Sequence, residues 1–184
     1  MMSGAAVFSI VGEHGSGKTT VMEGLVAELT GLGVRVGTIK HDVHGFQMDH
    51  EGKDSFRHKA AGASVSLVSS SWQVGMVRDT DRDLTVAELV ERFMGGLDVV
   101  LTEDYHRERW PKVEVHRRAT GKPLRCAGDE TIVALVSDEA VPVDVPIFGF
   151  YAWGELGRIQ GDYAGMDHQY QQHTFVSNMV GIEK

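Results

Sequence analysis

The chain has a single cysteine, Cys126, so one copy can form no internal disulfide and no thiolate cage for a metal. This suits a reducing compartment, and a cytoplasmic location is expected. Asparagine is also nearly absent. The one copy, Asn178, lies near the C-terminus, which excludes an N-K-x-D element for reading guanine. Positive charge is in short supply: the formal net charge is −8. That argues against non-specific binding to nucleic acid or to an anionic membrane, both of which need a basic face. The first twenty residues, "MMSGAAVFSIVGEHGSGKTT", have no basic lead and no long apolar run, so neither a signal peptide nor a membrane span is expected. No internal repeat or low-complexity tract stands out.

What is present is an ordinary globular composition over 184 residues, enough for one domain with a real core. Residues 5–11, "AAVFSIV", read as a short buried strand broken by glycines. From Thr19 the pattern turns helical, with Val21, Leu25, Val26 and Leu29 on one face, and Gly31 stands where a left-handed stop is expected. "VRVGTIK" (34–40) reads as the next strand. Strand, turn, helix, strand is a βαβ unit with a right-handed crossover. Asp54 is the expected N-cap of a short helix ending near Gly62. Residues 63–70 and 72–78 are separated too briefly for a helical crossover and read as a hairpin. Thr85 and Glu88 form a capping box, with Leu84 and Leu89 as its staple, for a helix reaching about Met94. Further strands are expected over 98–103, 111–117, 131–138 and 146–150, and a helix over 166–180. The fold class is therefore α/β: three layers with a mostly parallel sheet and an added hairpin. With "GEHGSGKT" (12–19), a G-x-x-x-x-G-K-S/T match, set between the first strand and helix, a P-loop NTPase fold is expected, with residues 1–150 as the nucleotide-binding domain and residues 151–184 as a tail belonging to it.

"GEHGSGKT" (12–19) matches G-x-x-x-x-G-K-S/T in full, between an apolar strand and an amphipathic helix, which is the context the motif requires. Gly12, Gly15 and Gly17 let the chain curl so that backbone N–H groups, with those of His14 and Ser16, face phosphate oxygens at the positive end of the helix. Lys18 adds a cation for the β and γ phosphates. The Thr19 hydroxyl suits Mg²⁺, and Thr20 can reach the α phosphate. Mg²⁺ prefers hard oxygen ligands and keeps several waters, so carboxylates at strand ends are its natural partners. Glu103, closing "DVVLTE", and Asp42, just past the second strand, are the candidates. The run "KHDVHGFQMDHEGKDS" (40–55) holds three histidines, three aspartates, one glutamate and two lysines. Lys40 and His41 are read as facing the nucleotide or another anion. Arg57, one turn from Lys53, is a candidate for stabilising phosphate charge. "YHRERWPK" (105–112) is a basic, aromatic loop expected to hang over the strand ends and bind an anionic second substrate or a partner; the alternative is a solvated loop with Trp110 packed beneath.

Three segments carry a family resemblance: "VGEHGSGKTTVMEGLVAEL" (11–29), "VGTIKHDVHGFQMDHEGKDSFRHKAAGA" (36–63) and "DVVLTEDYHRERWPKVEVHR" (98–117). T-I-K-H-D, then H-G-F, then G-K-D-S-x-R-H-x-x-A-G-A is close to a signature. The chain resembles the molybdopterin-guanine dinucleotide biosynthesis protein B family (MobB). The resemblance implies a GTP-binding protein that assists conversion of the molybdenum cofactor to its guanine dinucleotide form. It implies GTP and Mg²⁺ as cofactors, molybdopterin as a further ligand, weak GTP hydrolysis, a homodimer, and the molybdenum cofactor guanylyltransferase as partner. It places function on Gly12 to Thr20, on Lys40, His41 and Asp42, on Asp54, Arg57 and His58, and on Glu103. One departure is plain: the family usually has glycine after the strand-end glutamate, and this chain has Asp104. Two other readings use the same phosphate turn. One is a small-molecule or nucleoside kinase with Asp42 as base. The other is a nickel metallochaperone GTPase using His41 and His44.

Overall fold

The computed structural model describes residues 4–126 and 128–156. These fall into two compact units, one holding the described residues up to His41 and from Val86 onward, the other Asp42–Thr85. The expected helix over 166–180 lies outside the described residues.

The first unit opens with β1 (Ala6–Gly12), α1 (Lys18–Gly31) and β2 (Val36–Lys40) and resumes with α3 (Val86–Phe93), β5 (Val99–Glu103), β6 (Lys112–His116), β7 (Ile132–Ser137), β8 (Ile147–Phe148) and the one-turn α4 (Trp153–Leu156). The second unit supplies α2 (Asp54–Ala60), β3 (Val65–Ser69) and β4 (Val74–Arg78). Six strands form one sheet in the order β2-β5-β1-β6-β7-β8, and every pairing is parallel. A parallel sheet is buried on both faces, which is why β1, β5 and β6 have no exposed residue.

The alternation of β1 divides the core. Ala6, Phe8 and Ile10 point toward α1 and join Val21, Leu25 and Leu29 of that helix with Leu156 of α4. Ala5 and Val7 point the other way and meet Val86, Trp110 and the apolar side of α3. Sheet and helices thus make three layers. Ser9 and Thr102, which face the α3 layer from adjacent central strands, satisfy each other through a 2.7 Å hydroxyl–hydroxyl bond. Among the described residues no helix is long and apolar enough to cross a membrane.

Three local expectations are corrected. α1 runs through Gly31, and the left-handed residue that turns the chain is Gly33 at φ +81°. Asp54 is the first residue of α2 rather than its cap; Lys53 occupies the cap position in an extended conformation and makes no side-chain cap bond. The last strand is only the pair Ile147–Phe148.

The second unit is an antiparallel hairpin of β3 and β4 with α2. Ser66 Oγ donates to the Ser55 carbonyl at 3.2 Å, and Lys59 pairs with Asp79 at 2.6 Å. Its apolar side chains are little covered: Leu67, Val68, Trp72 and Val74 are all exposed.

Candidate functional site

The carboxyl ends of β1, β5, β2 and β6 meet along one edge of the first unit's sheet, where open α/β sheets bind ligands. β1 delivers the chain into the glycine-rich turn. Gly12 and Gly17 stand at φ +152° and +100°, and both are hemmed in. A Cβ on Gly12 would collide with the Val115 carbonyl oxygen, and one on Gly17 would lie 2.8 Å from the Phe150 ring. Gly15, at φ +77°, faces open space. α1 then begins at Lys18 with no side-chain cap on Gly17 and no acidic residue in its first turn, so the positive end of the helix is left to whatever enters the turn. Ser16 Oγ is buried and meets no hydrogen-bond partner among the described residues. The Lys18 ammonium donates to the carbonyls of Gly12 at 3.0 Å and Glu13 at 3.2 Å, and lies 3.3 Å from an Asp104 carboxylate oxygen. His14, Thr19 and Thr20 are exposed beside it.

β5 supplies the second wall. Glu103 is buried at its end, 3.4 Å from the Lys40 ammonium across the β2 pairing, and its carbonyl accepts the His41 N–H at 3.3 Å. The His41 ring stands 5.1 Å from that of Tyr105. Asp104 is the one non-glycine among the described residues with a positive φ, +69°. His106 Nε2 lies 3.5 Å from the Asp104 carboxylate. Burial holds the His106 imidazole below its usual pKa, helped by the Arg125 and Lys18 charges and opposed by Asp104 and Glu13.

A third wall comes from beyond β6. The buried Glu114 carboxylate accepts the backbone N–H groups of Arg125 at 2.8 Å and Cys126 at 2.9 Å. This fixes a loop from which Arg125 reaches Glu13 at 2.7 Å. That bond is the main reason the Glu13 carboxyl sits below its usual pKa. The Arg117 guanidinium stacks over Phe150 at 4.2 Å, and its Nε donates to the Ser16 carbonyl at 3.5 Å.

The first unit thus gathers Gly12, His14, Gly15, Ser16, Gly17, Lys18, Thr19, Thr20, Lys40, His41 and Glu103 on adjoining strand ends. Asp42 and Arg57 belong to the second unit. Asp42 caps a turn there, accepting the His44 N–H at 3.0 Å, and Arg57 pairs with Asp54 at 3.5 Å. Among the described residues no three His, Cys, Asp or Glu side chains come together to hold a metal ion. Sequence reasoning missed Arg117, Arg125 and Phe150. Arg117 lies just past the end of β6 and was open to suspicion on that ground. Arg125 and Phe150 have no local signal, because only the order of β6, β7 and β8 brings them to the turn.

Comparison with known proteins agrees with this arrangement. The family profile described as molybdopterin guanine dinucleotide synthesis protein B, MobB, matches residues 7–138. A molybdopterin-guanine dinucleotide biosynthesis adapter protein of Haemophilus influenzae is 36% identical over 139 residues, covering 75% of this chain and 78% of that protein. Its counterpart in Escherichia coli is 31% identical over 137 residues, covering 72% and 78%. Among solved structures, a MobB homologue from Bacillus stearothermophilus is 27% identical with a TM-score of 0.61, covering 82% of this chain and 91% of that one. Bacillus subtilis MobB is 26% identical with a TM-score of 0.62, covering 78% and 89%. With most of the first unit's sheet and the whole second unit inside the matched span, the chain belongs to the molybdopterin guanine dinucleotide synthesis protein B (MobB) family.

Proposed function

We propose that the chain is an adapter in molybdopterin guanine dinucleotide biosynthesis that binds GTP with Mg²⁺ at the turn between β1 and α1. The adapter role rests on the family and on the names of the Haemophilus influenzae and Escherichia coli relatives. The nucleotide reading rests on one observation above all. Lys18 is held at an uncapped helix N-terminus, inside a turn where Gly12 and Gly17 leave no room for side chains. A polyphosphate fits that donor set: main-chain N–H groups, an ammonium, and the buried Ser16 hydroxyl, which lacks a partner.

Thr19 and Glu103 are the residues assigned to Mg²⁺, which when bound neutralises phosphate charge. Lys40 and His41 are assigned to the nucleotide or to a molybdopterin anion. Weak GTP hydrolysis belongs to this reading. The working partner is the guanylyltransferase of the pathway, in the cytoplasm. Two copies pair as a homodimer, a state favoured by the exposed Leu67, Val68, Trp72 and Val74, since apolar groups clustered on one hairpin invite a covering surface.

The deciding experiment is a calorimetric panel of GTP, ATP and molybdopterin, each with and without Mg²⁺. GTP binding strengthened by Mg²⁺ and weakened at least tenfold by Lys18→Ala is expected. Absence of heat with every purine triphosphate defeats the nucleotide reading, and ATP preferred over GTP points to the kinase alternative.

A further inference from the structure

We propose that Asp104 is an internal counter-ion of Lys18 that makes the site select a cation-bound nucleoside triphosphate over the bare one. The inference rests on the nucleotide reading above and adds a discriminating residue to it.

An ammonium has three N–H donors. Those of Lys18 already face three acceptors: the carbonyls of Gly12 and Glu13 at 3.0 and 3.2 Å, and Asp104 Oδ1 at 3.3 Å. A phosphate oxygen gains Lys18 only by displacing one of them. The other two acceptors are main chain: Gly12 is paired with Val115 of β6, and the Glu13 carbonyl also accepts the Ser16 N–H at 3.2 Å, so neither swings away freely. The Asp104 carboxylate can, because its side chain is 31% exposed and turns on two torsions.

Its backbone, by contrast, is pinned. The Asp104 N–H donates to the Ile10 carbonyl at 3.2 Å, its own carbonyl accepts from His106 N–H at 3.0 Å, and φ is +69°. The displaced carboxylate therefore stays beside the incoming phosphates. The neighbouring Glu103 has Lys40 as its counter-ion at 3.4 Å, so drawing that lysine onto the phosphates would only uncover a second carboxylate. A bare triphosphate thus takes Lys18 from Asp104 and returns no positive charge. A divalent cation travelling with the triphosphate brings that charge.

The test compares GTP binding to the wild type, Asp104→Asn and Asp104→Gly by calorimetry, in EDTA and in excess Mg²⁺. Circular dichroism melts confirm that each variant folds. Asparagine removes the charge while tolerating the left-handed backbone, and glycine removes the side chain altogether. Both variants are expected to bind bare GTP about fivefold tighter than the wild type, the upper end for one partly exposed ion pair. Their affinity in Mg²⁺ should stay within about twofold, so the dependence on cation shrinks. Variants that bind where the wild type binds nothing in EDTA support the same conclusion. The inference falls if the wild type binds GTP and neither variant changes the ratio between the two conditions. It also falls if both affinities rise by the same factor, since Asp104 then repels anions without selecting among them. If no protein binds GTP in either condition, the nucleotide reading itself fails and takes this inference with it.

Discussion

Three glycines of one turn carry different structural demands, and the motif specifies only Gly12 and Gly17. Gly12 has the backbone of β6 where a side chain would begin, whereas Gly15 opens on solvent. Gly12→Ala is expected to destabilise the fold by about 3 kcal/mol, combining backbone strain with overpacking, and Gly15→Ala by only about 1 kcal/mol from its left-handed φ. Urea titration of the two variants checks the order; equal costs would contradict the packing argument. A second residue-scale expectation concerns acid. Asp98 is held near pKa 2, below the ordinary 3.8, chiefly by the hydrogen bond from the Arg35 guanidinium, then by that residue's backbone N–H. A carboxyl whose folded pKa is depressed contributes stability that is full above the unfolded value and lost as pH falls toward the folded one. The gap in stability between wild type and Asp98→Asn should therefore close between about pH 4 and 2. Added salt should narrow it, since Arg35 is largely exposed. The glycine-rich turn between β1 and α1 was legible, because a strand-to-helix turn is a local device. Asp104 was visible as a departure, but its pairing with Lys18 was not.

At the scale of elements, α1 contains a glycine whose expected behaviour is inverted by its neighbour. In an exposed helix interior, replacing glycine by alanine stabilises by about 1 kcal/mol. At Gly24 the new Cβ would overlap the Trp153 ring of α4, so Gly24→Ala should cost about 1–3 kcal/mol instead. A melting temperature that rises would show that α4 does not rest there. β6 teaches a related lesson. Its alternating "KVEVH" reads as a strand, but alternation usually signals one wet face. Here Lys112, Glu114 and His116 are all buried. Lys112 finds Asp129 and Thr131, His116 finds Glu139 at 3.0 Å, and Glu114 holds the Arg125–Cys126 backbone. Removing that carboxylate by Glu114→Ala leaves two amides without their acceptor. It should cost about 2–4 kcal/mol, measurable by urea unfolding, with Glu114→Gln intermediate. Helix starts were read well where a capping box declared them and poorly at α2, where Asp54 is acidic enough to cap and yet lies inside the helix.

For the whole molecule, burial is uneven. The strands of the six-stranded sheet nearest its centre are sealed, while β3 and β4 expose most of their residues and form a two-stranded pair that has little core of its own. Amide hydrogen exchange should be markedly faster in β3 and β4 than in β1 and β5. Equal protection of both would mean that a covering partner seals the hairpin in solution, and dilution of the sample would then release it.

By itself the sequence determined the class of fold, the first seven strands to within two residues at each end, and the glycine-rich turn between β1 and α1. Each of these is set by short-range pattern: alternation, glycine spacing, a cap. Tertiary structure alone decided that β5 and β6 flank β1. That placement puts Glu103 and Asp104 on one side of Lys18's turn, and Arg117, Arg125 and Phe150 on the other. Contacts between residues about a hundred positions apart have no local signature, because they follow from the order in which strands pair, and that order is a property of the assembled sheet.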